Sequence, residues 1–151
     1  MTDSPLDQPP ATGDRPPATG QARGLTTGVD LIEIARIARA VERWGDRFAR
    51  RVWTPAERAY CAGRVQSLAV RWAAKEAAAK ALGVGLRGLG SSSDGVAWTE
   101  IEVGRDPNGR PWLMLHGAAA ERAASLGIDE WSLSLSHSGG MAIALVVGLK
   151  Y

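Results

Sequence analysis

Cysteine and long apolar segments are nearly absent from this sequence. Cys61 is the only cysteine in 151 residues, so no disulfide can form within the chain. The sequence therefore gives no sign of an oxidising compartment, where disulfides are common. No run of about 18 apolar residues occurs that would form a membrane-spanning helix. The N-terminal residues also lack the apolar centre of a secretory signal peptide. We therefore expect a cytoplasmic protein without a membrane partner, in which Cys61 is a packing residue.

Lysine is also scarce, although basic residues are common. Of the 18 basic residues, 15 are arginine, and the lysines are Lys75, Lys80 and Lys150. A lysine ammonium is a compact point charge that suits phosphate, whereas arginine offers a planar fork. Two lysines close together in an arginine-rich chain therefore hint at a phosphate contact. The net charge of +2 is small, and no nucleic-acid-binding module is recognisable, so we expect no nucleic-acid partner.

The proline distribution divides the chain into two parts. Five of the eight prolines lie in residues 1–24, which contain almost no apolar side chain that could be buried. This composition predicts a disordered Pro/Gly-rich tail over residues 1–24. The remaining residues, 25–151, suffice for one folded domain with a modest core.

The apolar pattern of residues 25–151 predicts both helices and strands. Strands are expected at 26–31, 96–103, 112–115, 131–135 and 141–147, and helices at 34–44, 46–52, 66–82 and 117–126. A further helix should begin after Thr54, where Thr-Pro-Ala-Glu forms a capping box with proline at the first helical position. Strands and helices do not alternate regularly, so we expect an α+β fold.

A carboxylate interrupts the apolar character of the first strand. Asp30 lies at the end of that strand, within the segment Gly28–Arg36 and just before the first helix. Asp30 or Glu33 could simply cap the helix, and the local sequence favours this interpretation. The alternative is that Asp30 is held rigidly beside a metal ion.

The helix predicted at 66–82 carries polar residues on an alanine-rich background. Trp72, Glu76 and Lys80 are spaced by four residues and therefore share one helix face. A glutamate four residues before a lysine is also the ordinary arrangement of a surface ion pair worth only about 0.3–0.5 kcal/mol. The helix has no other acidic residue, which favours a functional pair. Spacing alone leaves both interpretations open.

One of the two histidines lies between the last two predicted strands. His137 belongs to the connection 136–140, Ser-His-Ser-Gly-Gly. Such connections place polar side chains where a rigid scaffold can orient them. A single histidine in a loop is more often a surface hydrogen-bonding group than a catalytic one.

Taken together, the three segments resemble the signatures of the holo-(acyl-carrier-protein) synthase family of 4'-phosphopantetheinyl transferases. They match a G-x-D motif with a following arginine, a W-x-x-K-E-x-x-x-K-A-x-G helix and an S-H-S segment, in this order, between Thr27 and Val147. The resemblance implies the 4'-phosphopantetheinyl transferase fold, a single compact domain in which an antiparallel sheet packs against a long central helix. It also implies Mg²⁺-dependent transfer of phosphopantetheine from coenzyme A to a serine of apo-acyl carrier protein, with release of 3',5'-ADP.

The resemblance further implies a role for individual residues. Asp30 and Glu76 match the metal-binding carboxylates, and together with Lys80 they match the catalytic group. The residues implied to bind coenzyme A are Arg71, Lys75, Lys80 and His137. The base that deprotonates the serine stays open between Glu76 and a metal-bound water.

The resemblance also implies partners. Arg36, Arg47 and Arg51 match arginines that help to dock an acidic carrier protein, and members of the family are usually homotrimers in which coenzyme A contacts two subunits. Two features depart from the family pattern: the tail at 1–24, and the loop Leu86–Gly95, which is longer than usual and contains three consecutive serines.

Two other functions compete with the transferase. A non-catalytic module that binds coenzyme A or a carrier protein should lack a metal carboxylate or the helix lysine, whereas Asp30, Glu76 and Lys80 are all present. A metal-dependent nuclease uses similar residues, but it leaves the Ser-His-Ser segment unexplained. The ordered set of motifs favours the transferase.

Overall fold

The computed structural model describes residues 24–88 and 95–150. In chain order the elements are β1 (Leu25–Glu33), α1 (Ile34–Val52), α2 (Pro55–Cys61), α3 (Val65–Leu82), β2 (Leu86–Arg87), β3 (Val96–Ala97), a 3-10 turn (Trp98–Glu100), β4 (Ile101–Arg105), β5 (Pro111–Leu115), α4 (Gly117–Ser125), β6 (Glu130–Ser138) and β7 (Met141–Leu149). The predicted tail, apart from Gly24, and most of the loop Leu86–Gly95 lie outside the described residues.

The largest sheet is antiparallel and has three strands in the order β1-β7-β6. β7 is central, so that Asp30 of β1 pairs with Ala144 and His137 of β6 pairs with Ala142. β4 and β5 form a second antiparallel pair, and β2 and β3 a short parallel one. Strands and helices do not alternate regularly along the chain, and the main sheet is antiparallel, so the predicted α+β fold is confirmed.

Helix α3 is the central element and packs against β1 and β7. Its alanines are buried along most of its length, because short side chains let the helix approach the sheet closely. A Cβ atom added to Gly28 of β1 would lie only 1.8 Å from the carbonyl oxygen of Ala77, so glycine alone fits there. The hydroxyl of Thr26 donates to the carbonyl oxygen of Ala81 at 2.7 Å. The predicted packing of a sheet against a long central helix is confirmed.

The connection between β6 and β7 is shorter than predicted. β6 extends to Ser138, and only Gly139 and Gly140 form the turn, with φ angles of 56° and 78°. Two residues with positive φ suit a tight hairpin whose twist matches its strands. The prediction that His137 lies in a loop is therefore wrong, because it lies on a strand.

The strand predicted at 96–103 is also wrong, since a 3-10 turn separates β3 from β4. The ammonium group of Lys75 donates to the carbonyl oxygens of Trp98, at 2.9 Å, and Ile101. These contacts join the ends of the turn to α3. They connect residues far apart in sequence, so no local pattern could reveal them.

The other predicted helix signals are confirmed. The segments 34–44 and 46–52 form one helix, α1, which is kinked at Gly45 with a φ of 61°. At the start of α2, the amide of Glu57 donates to the Thr54 hydroxyl at 3.2 Å, and the amide of Thr54 donates to the Glu57 carboxylate at 2.9 Å. This reciprocal pair is the capping box expected from the sequence.

An aromatic cluster completes the core beside α3. Trp72 and Trp98 have ring centroids 4.1 Å apart, and Phe48 lies 6.0 Å from Trp72. Cys61 is fully buried, as expected of a packing residue. In residues 24–88 and 95–150, no helix is both long and apolar enough to cross a membrane.

Candidate active site

Asp30 and Lys80 meet where β1 lies against α3. The Lys80 ammonium group lies 3.1 Å from a carboxylate oxygen of Asp30 and also donates to the carbonyl oxygen of Val29 at 2.9 Å. The close approach at Gly28 brings the two elements together. Glu33 occupies the N-cap position of α1 without a side-chain capping bond. Neither carboxylate of this segment therefore caps the helix, and the capping interpretation of Asp30 is wrong.

Glu76 lies one turn before Lys80 on α3 and is partly buried. Burial raises the pKa of its carboxyl group, and the negative charge of Asp30 raises it further, whereas Lys80 and Arg36 lower it. Within the described residues, the ion pair of Lys80 is with Asp30 rather than with Glu76. The ordinary surface pair between Glu76 and Lys80 is thus not formed, and two carboxylates and one ammonium group converge instead.

A groove of about 800 Å³ opens beside Glu76, between α1 and α3. Its lining residues are Arg36, Ile37, Ala40, Trp44, Arg47, Phe48, Arg51, Trp72, Glu76, Leu86 and Trp98. The predicted docking arginines 36, 47 and 51 therefore share one groove with a predicted metal carboxylate. Arg51 donates to the carbonyl oxygen of Gly88 at 2.8 Å. The groove combines an aromatic interior with cations and one carboxylate.

A second cavity, of about 80 Å³, brings Arg71 and His137 together. Arg71 is buried, donates to the carbonyl oxygens of Ser67 and Val103, and has its guanidinium 4.5 Å from the centre of the Tyr60 ring. Among residues 24–88 and 95–150, its Nη2 atom has no hydrogen-bond partner. The cavity shares no lining residue with the groove.

Comparisons with known proteins identify the family. Residues 26–146 match the model of the 4'-phosphopantetheinyl transferase superfamily. The chain belongs to this superfamily. A relative named holo-(acyl-carrier-protein) synthase from Herpetosiphon aurantiacus is 67% identical over 125 residues, 83% of this chain and 98% of the relative. A relative of the same name from Chloroflexus aurantiacus is 55% identical over 132 residues, 82% of this chain and 96% of the relative.

Solved structures of this superfamily share the fold. The holo-(acyl-carrier-protein) synthase of Helicobacter pylori in complex with coenzyme A is 34% identical, with a TM-score of 0.69, and covers 81% of this chain and 98% of its own. A complex with coenzyme A from Chronobacterium ammoniagenes is 39% identical, with a TM-score of 0.70, over 85% of this chain and 98% of its own. The 4'-phosphopantetheinyl transferase fold inferred from the sequence motifs is confirmed.

The carboxylates of this superfamily member suit a hard divalent cation. Mg²⁺ in proteins is commonly held by one or two carboxylates, with phosphate oxygens and water completing its shell. Asp30 and Glu76 offer two carboxylates. Burial first, and the charge of Asp30 second, raise the pKa of Glu76, and a cation held between the carboxylates would relieve their repulsion. Among the described residues, no group of three or more such ligands occurs, so phosphate and water would have to supply the rest.

Lys75, which was expected to contact coenzyme A, lies away from these groups. Its side chain is 0% exposed, and its ammonium group lies 2.7 Å from a carboxylate oxygen of Glu57, itself 1% exposed. The carbonyl oxygens of Trp98 and Ile101 take its other two hydrogens. With three donors already used, Lys75 has none left for a phosphate. The superfamily helix motif therefore contains one lysine of the core and one of the site.

Several aromatic and cationic groups of the site lie outside the three sequence motifs. Trp44 and Phe48 fall on the same face of α1 as Arg36 and Arg47, and this spacing could have revealed them. Trp98 reaches the groove, and Arg105 the second cavity, from segments far along the chain. Nothing in their local sequence indicates this.

Proposed function

We propose that this protein transfers the 4'-phosphopantetheine group of coenzyme A to a serine hydroxyl of an apo-acyl carrier protein. The observation that carries the proposal is the convergence of Asp30, Glu76 and Lys80 beside an arginine-lined groove. The names of the relatives and the coenzyme A bound to the structural neighbours support it.

In this reaction the serine oxygen attacks the β-phosphorus of coenzyme A. The bond from that phosphorus to the bridging oxygen breaks, 3',5'-ADP leaves with the electron pair, and the hydroxyl loses its proton. Glu76, which lies one turn before Lys80 and is partly buried, or a water beside it would accept the proton. Such transfer depends chiefly on positioning and charge neutralisation.

Charge neutralisation would come from a cation and from Lys80. Mg²⁺, held by Asp30 and Glu76, would supply positive charge to the pyrophosphate when bound. Lys80 has 55% of its side chain exposed, so it can leave Asp30 and reach a phosphate oxygen. We therefore keep Asp30, Glu76 and Lys80 as the catalytic group.

We propose that Arg71 and His137 bind a phosphate of the nucleotide. Arg71, Arg105 and His137 line the same cavity, and this grouping of cationic and hydrogen-bonding side chains supports a site for an anion. Because this cavity shares no lining residue with the groove, we propose that one coenzyme A molecule contacts Asp30, Glu76 and Lys80 of one subunit and the cavity of its neighbour.

An exposed apolar surface supports the proposed homotrimer. Val29, Leu31, Ile143 and Leu145 are 52%, 57%, 40% and 45% exposed. They lie side by side on the outer face of the sheet, since Val29 pairs with Leu145 and Leu31 with Ile143. Contiguous apolar patches of this kind mark protein interfaces. We propose that this face joins the subunits.

We also propose that the protein acts in the cytoplasm.

We propose that Arg36, Arg47 and Arg51 dock the acidic carrier protein. They line one groove together with Glu76, so a carrier held there would bring its serine near the carboxylates. Complementary charge of this kind would mainly accelerate encounter and fix orientation.

The test is release of 3',5'-ADP from coenzyme A in the presence of apo-acyl carrier protein and Mg²⁺. Asp30→Ala and Glu76→Ala should each lower the rate by about a hundredfold or more, while circular dichroism shows the parental fold. Glu33→Ala is the matched control, because Glu33 is an exposed carboxylate of the same segment and should keep the parental rate. Parental rates for both site variants would refute the assignment.

A further inference from the structure

Trp44 is the most exposed aromatic side chain among the described residues, with 59% of its surface accessible. Single exposed apolar residues are common and need no function. Trp44 differs because it lines the groove that contains Glu76. An indole in this position is available to a partner that covers the groove.

Cations surround this indole. The Arg43 guanidinium lies 4.8 Å from the centre of the Trp44 ring, and Arg36 and Arg47 line the same groove. Within residues 24–88 and 95–150, no ion pair involves any of these three arginines. Arg36 does act on Glu76 through its charge, but the surface still combines an exposed apolar ring with arginines that form no ion pair in the described part of the chain. This combination matches an acidic partner with an apolar side chain.

The groove is lined by residues from both halves of α1, on either side of the kink at Gly45. Arg36, Ala40, Trp44, Arg47 and Arg51 follow one another at intervals of three or four residues and all line the groove. Tryptophan and arginine are the residues most enriched among those that dominate binding energy at protein interfaces. A partner seated on this face would also cover the approach to Glu76.

We propose that Trp44 is the apolar anchor of the carrier-protein docking surface, defined as Arg36, Arg43, Trp44, Arg47 and Arg51. Its ring would receive an apolar side chain from an acidic helix of the carrier, while the arginines pair with carboxylates around that contact. This inference rests on the proposed transfer and names the residue that contributes most to selecting its protein substrate.

A second copy of this chain is a less suitable occupant of the same surface. Two copies meeting here would bring arginines against arginines, and like charges across an interface are unfavourable. The outer face of the sheet, which holds Val29 and Leu145, offers copies an uncharged alternative. The docking surface therefore fits an acidic protein better than a second basic one.

Steady-state kinetics with apo-acyl carrier protein and coenzyme A test the inference. Trp44→Ala should raise the KM for the carrier about 5- to 30-fold, as expected for loss of an interface anchor, while the KM for coenzyme A stays at the parental value. Trp44→Phe, which retains a ring, should lie between the two. Trp112→Ala is the control, since Trp112 is also exposed, at 39%, but lies outside the groove, and it should leave both constants unchanged.

The salt dependence separates the anchor from the arginines. In Arg47→Glu, the carrier KM should vary less steeply with salt than in the parent, because a charge contact is lost. In Trp44→Ala, the slope should stay parental, because the lost contact is apolar. A flattened slope in Trp44→Ala would contradict the assigned role.

The outcomes distinguish this inference from the proposed function. A parental carrier KM in Trp44→Ala, with an active parent enzyme, would overturn the inference and leave the transfer intact. A parent that transfers nothing would overturn both. If Trp44→Ala changes the oligomeric state, Trp44 belongs to a contact between copies, and the inference is wrong.

Discussion

At the scale of a single residue, the surroundings of Glu76 favour metal binding but disfavour the charged form of its carboxyl group. Its position beside Asp30 suits a metal site, yet burial and the Asp30 charge both raise its pKa. An acid with a raised pKa is more easily protonated in the folded state than in the unfolded one. Ionisation of Glu76 therefore lowers the stability of the fold. The stability is fully present below pH 4.5, the ordinary pKa of the group, and this part of it is lost as the pH rises through the folded pKa.

Glu76→Gln should consequently lower the transfer rate and raise the stability of the metal-free protein. At neutral pH, the metal-free variant should unfold at a higher temperature than the parent, because it removes a buried charge that Asp30 repels. The gain should vanish below about pH 4.5, where the parental carboxyl is protonated in both states. Transfer should fall about a hundredfold or more. Calorimetry across pH and an activity assay test this, and a lower melting temperature at neutral pH would contradict the account.

Lys75 and Lys80 show how far residue-level prediction extends. Both were expected to contact phosphate, because both are lysines in one motif. Lys80 points to Asp30, whereas Lys75 is buried with Glu57. Five positions along a helix amount to one full turn plus more than a third of another. The side chains of Lys75 and Lys80 therefore lie on different faces. Which face enters the core depends on packing partners that the local sequence does not contain.

Lys75→Met should destabilise the fold by about 3–5 kcal/mol, because removing one partner leaves the Glu57 carboxylate buried without its ion pair. Urea denaturation measures the change. The double variant Lys75→Met/Glu57→Gln should lose less than the sum of the two single variants, since the residues contact each other. Additive losses would mean that the buried pair does not act as a unit.

At the scale of elements, the contact between β1 and α3 brings together the proposed catalytic group. Gly28 permits this contact because any Cβ there would collide with the backbone of Ala77. The G-x-D motif thus joins two requirements: a glycine that lets the strand approach, and an aspartate that the approach brings to Lys80.

Gly28→Ala should destabilise the fold by about 1–3 kcal/mol through overpacking and should lower transfer by separating Asp30 from Glu76. Gly24→Ala is the matched control. The three atoms nearest to its Cβ would all belong to the flexible side chain of Lys150, which can move, so stability and activity should stay close to parental. Denaturation and 3',5'-ADP release measure both. A Gly28→Ala protein with parental behaviour would show that the strand can move away freely.

Elements whose signals are local could be predicted from the sequence. α3 follows from its run of alanines and ends before Gly83, which has a φ of 66°, and the capping box at Thr54 formed as expected. The extension of β6 through His137 and the turn at Trp98–Glu100 could not be predicted. The first depends on pairing with β7, and the second on hydrogen bonds from Lys75.

At the scale of the whole molecule, the sequence motifs could not show that their residues occupy two separate places. Glu76 lines the groove, while His137 lines the second cavity. A site shared between subunits would unite them. No local pattern would encode such an arrangement, because it would depend on how copies meet, which we propose to occur across the outer face of the sheet.

Subunit mixing tests the shared site. Glu76→Ala and His137→Ala should each be impaired alone, and equal mixtures that are unfolded and reassembled together should regain activity, with both groups intact at about one quarter of the sites. Glu76→Ala mixed with Asp30→Ala is the control and should regain nothing, because both residues belong to the same half of the site. Absence of recovery in the first mixture would place the complete site in one subunit.

The central claim is that this chain moves phosphopantetheine to a carrier protein by means of a cation-dependent site. The intact mass of apo-acyl carrier protein, measured after incubation with the protein and coenzyme A, tests it most directly. We predict a gain equal to one phosphopantetheine group with Mg²⁺, none with EDTA, and a restored gain when Mg²⁺ is added back in excess. An unchanged carrier mass, from folded protein that still binds coenzyme A and for several different carriers, would contradict the claim and indicate a binding module instead.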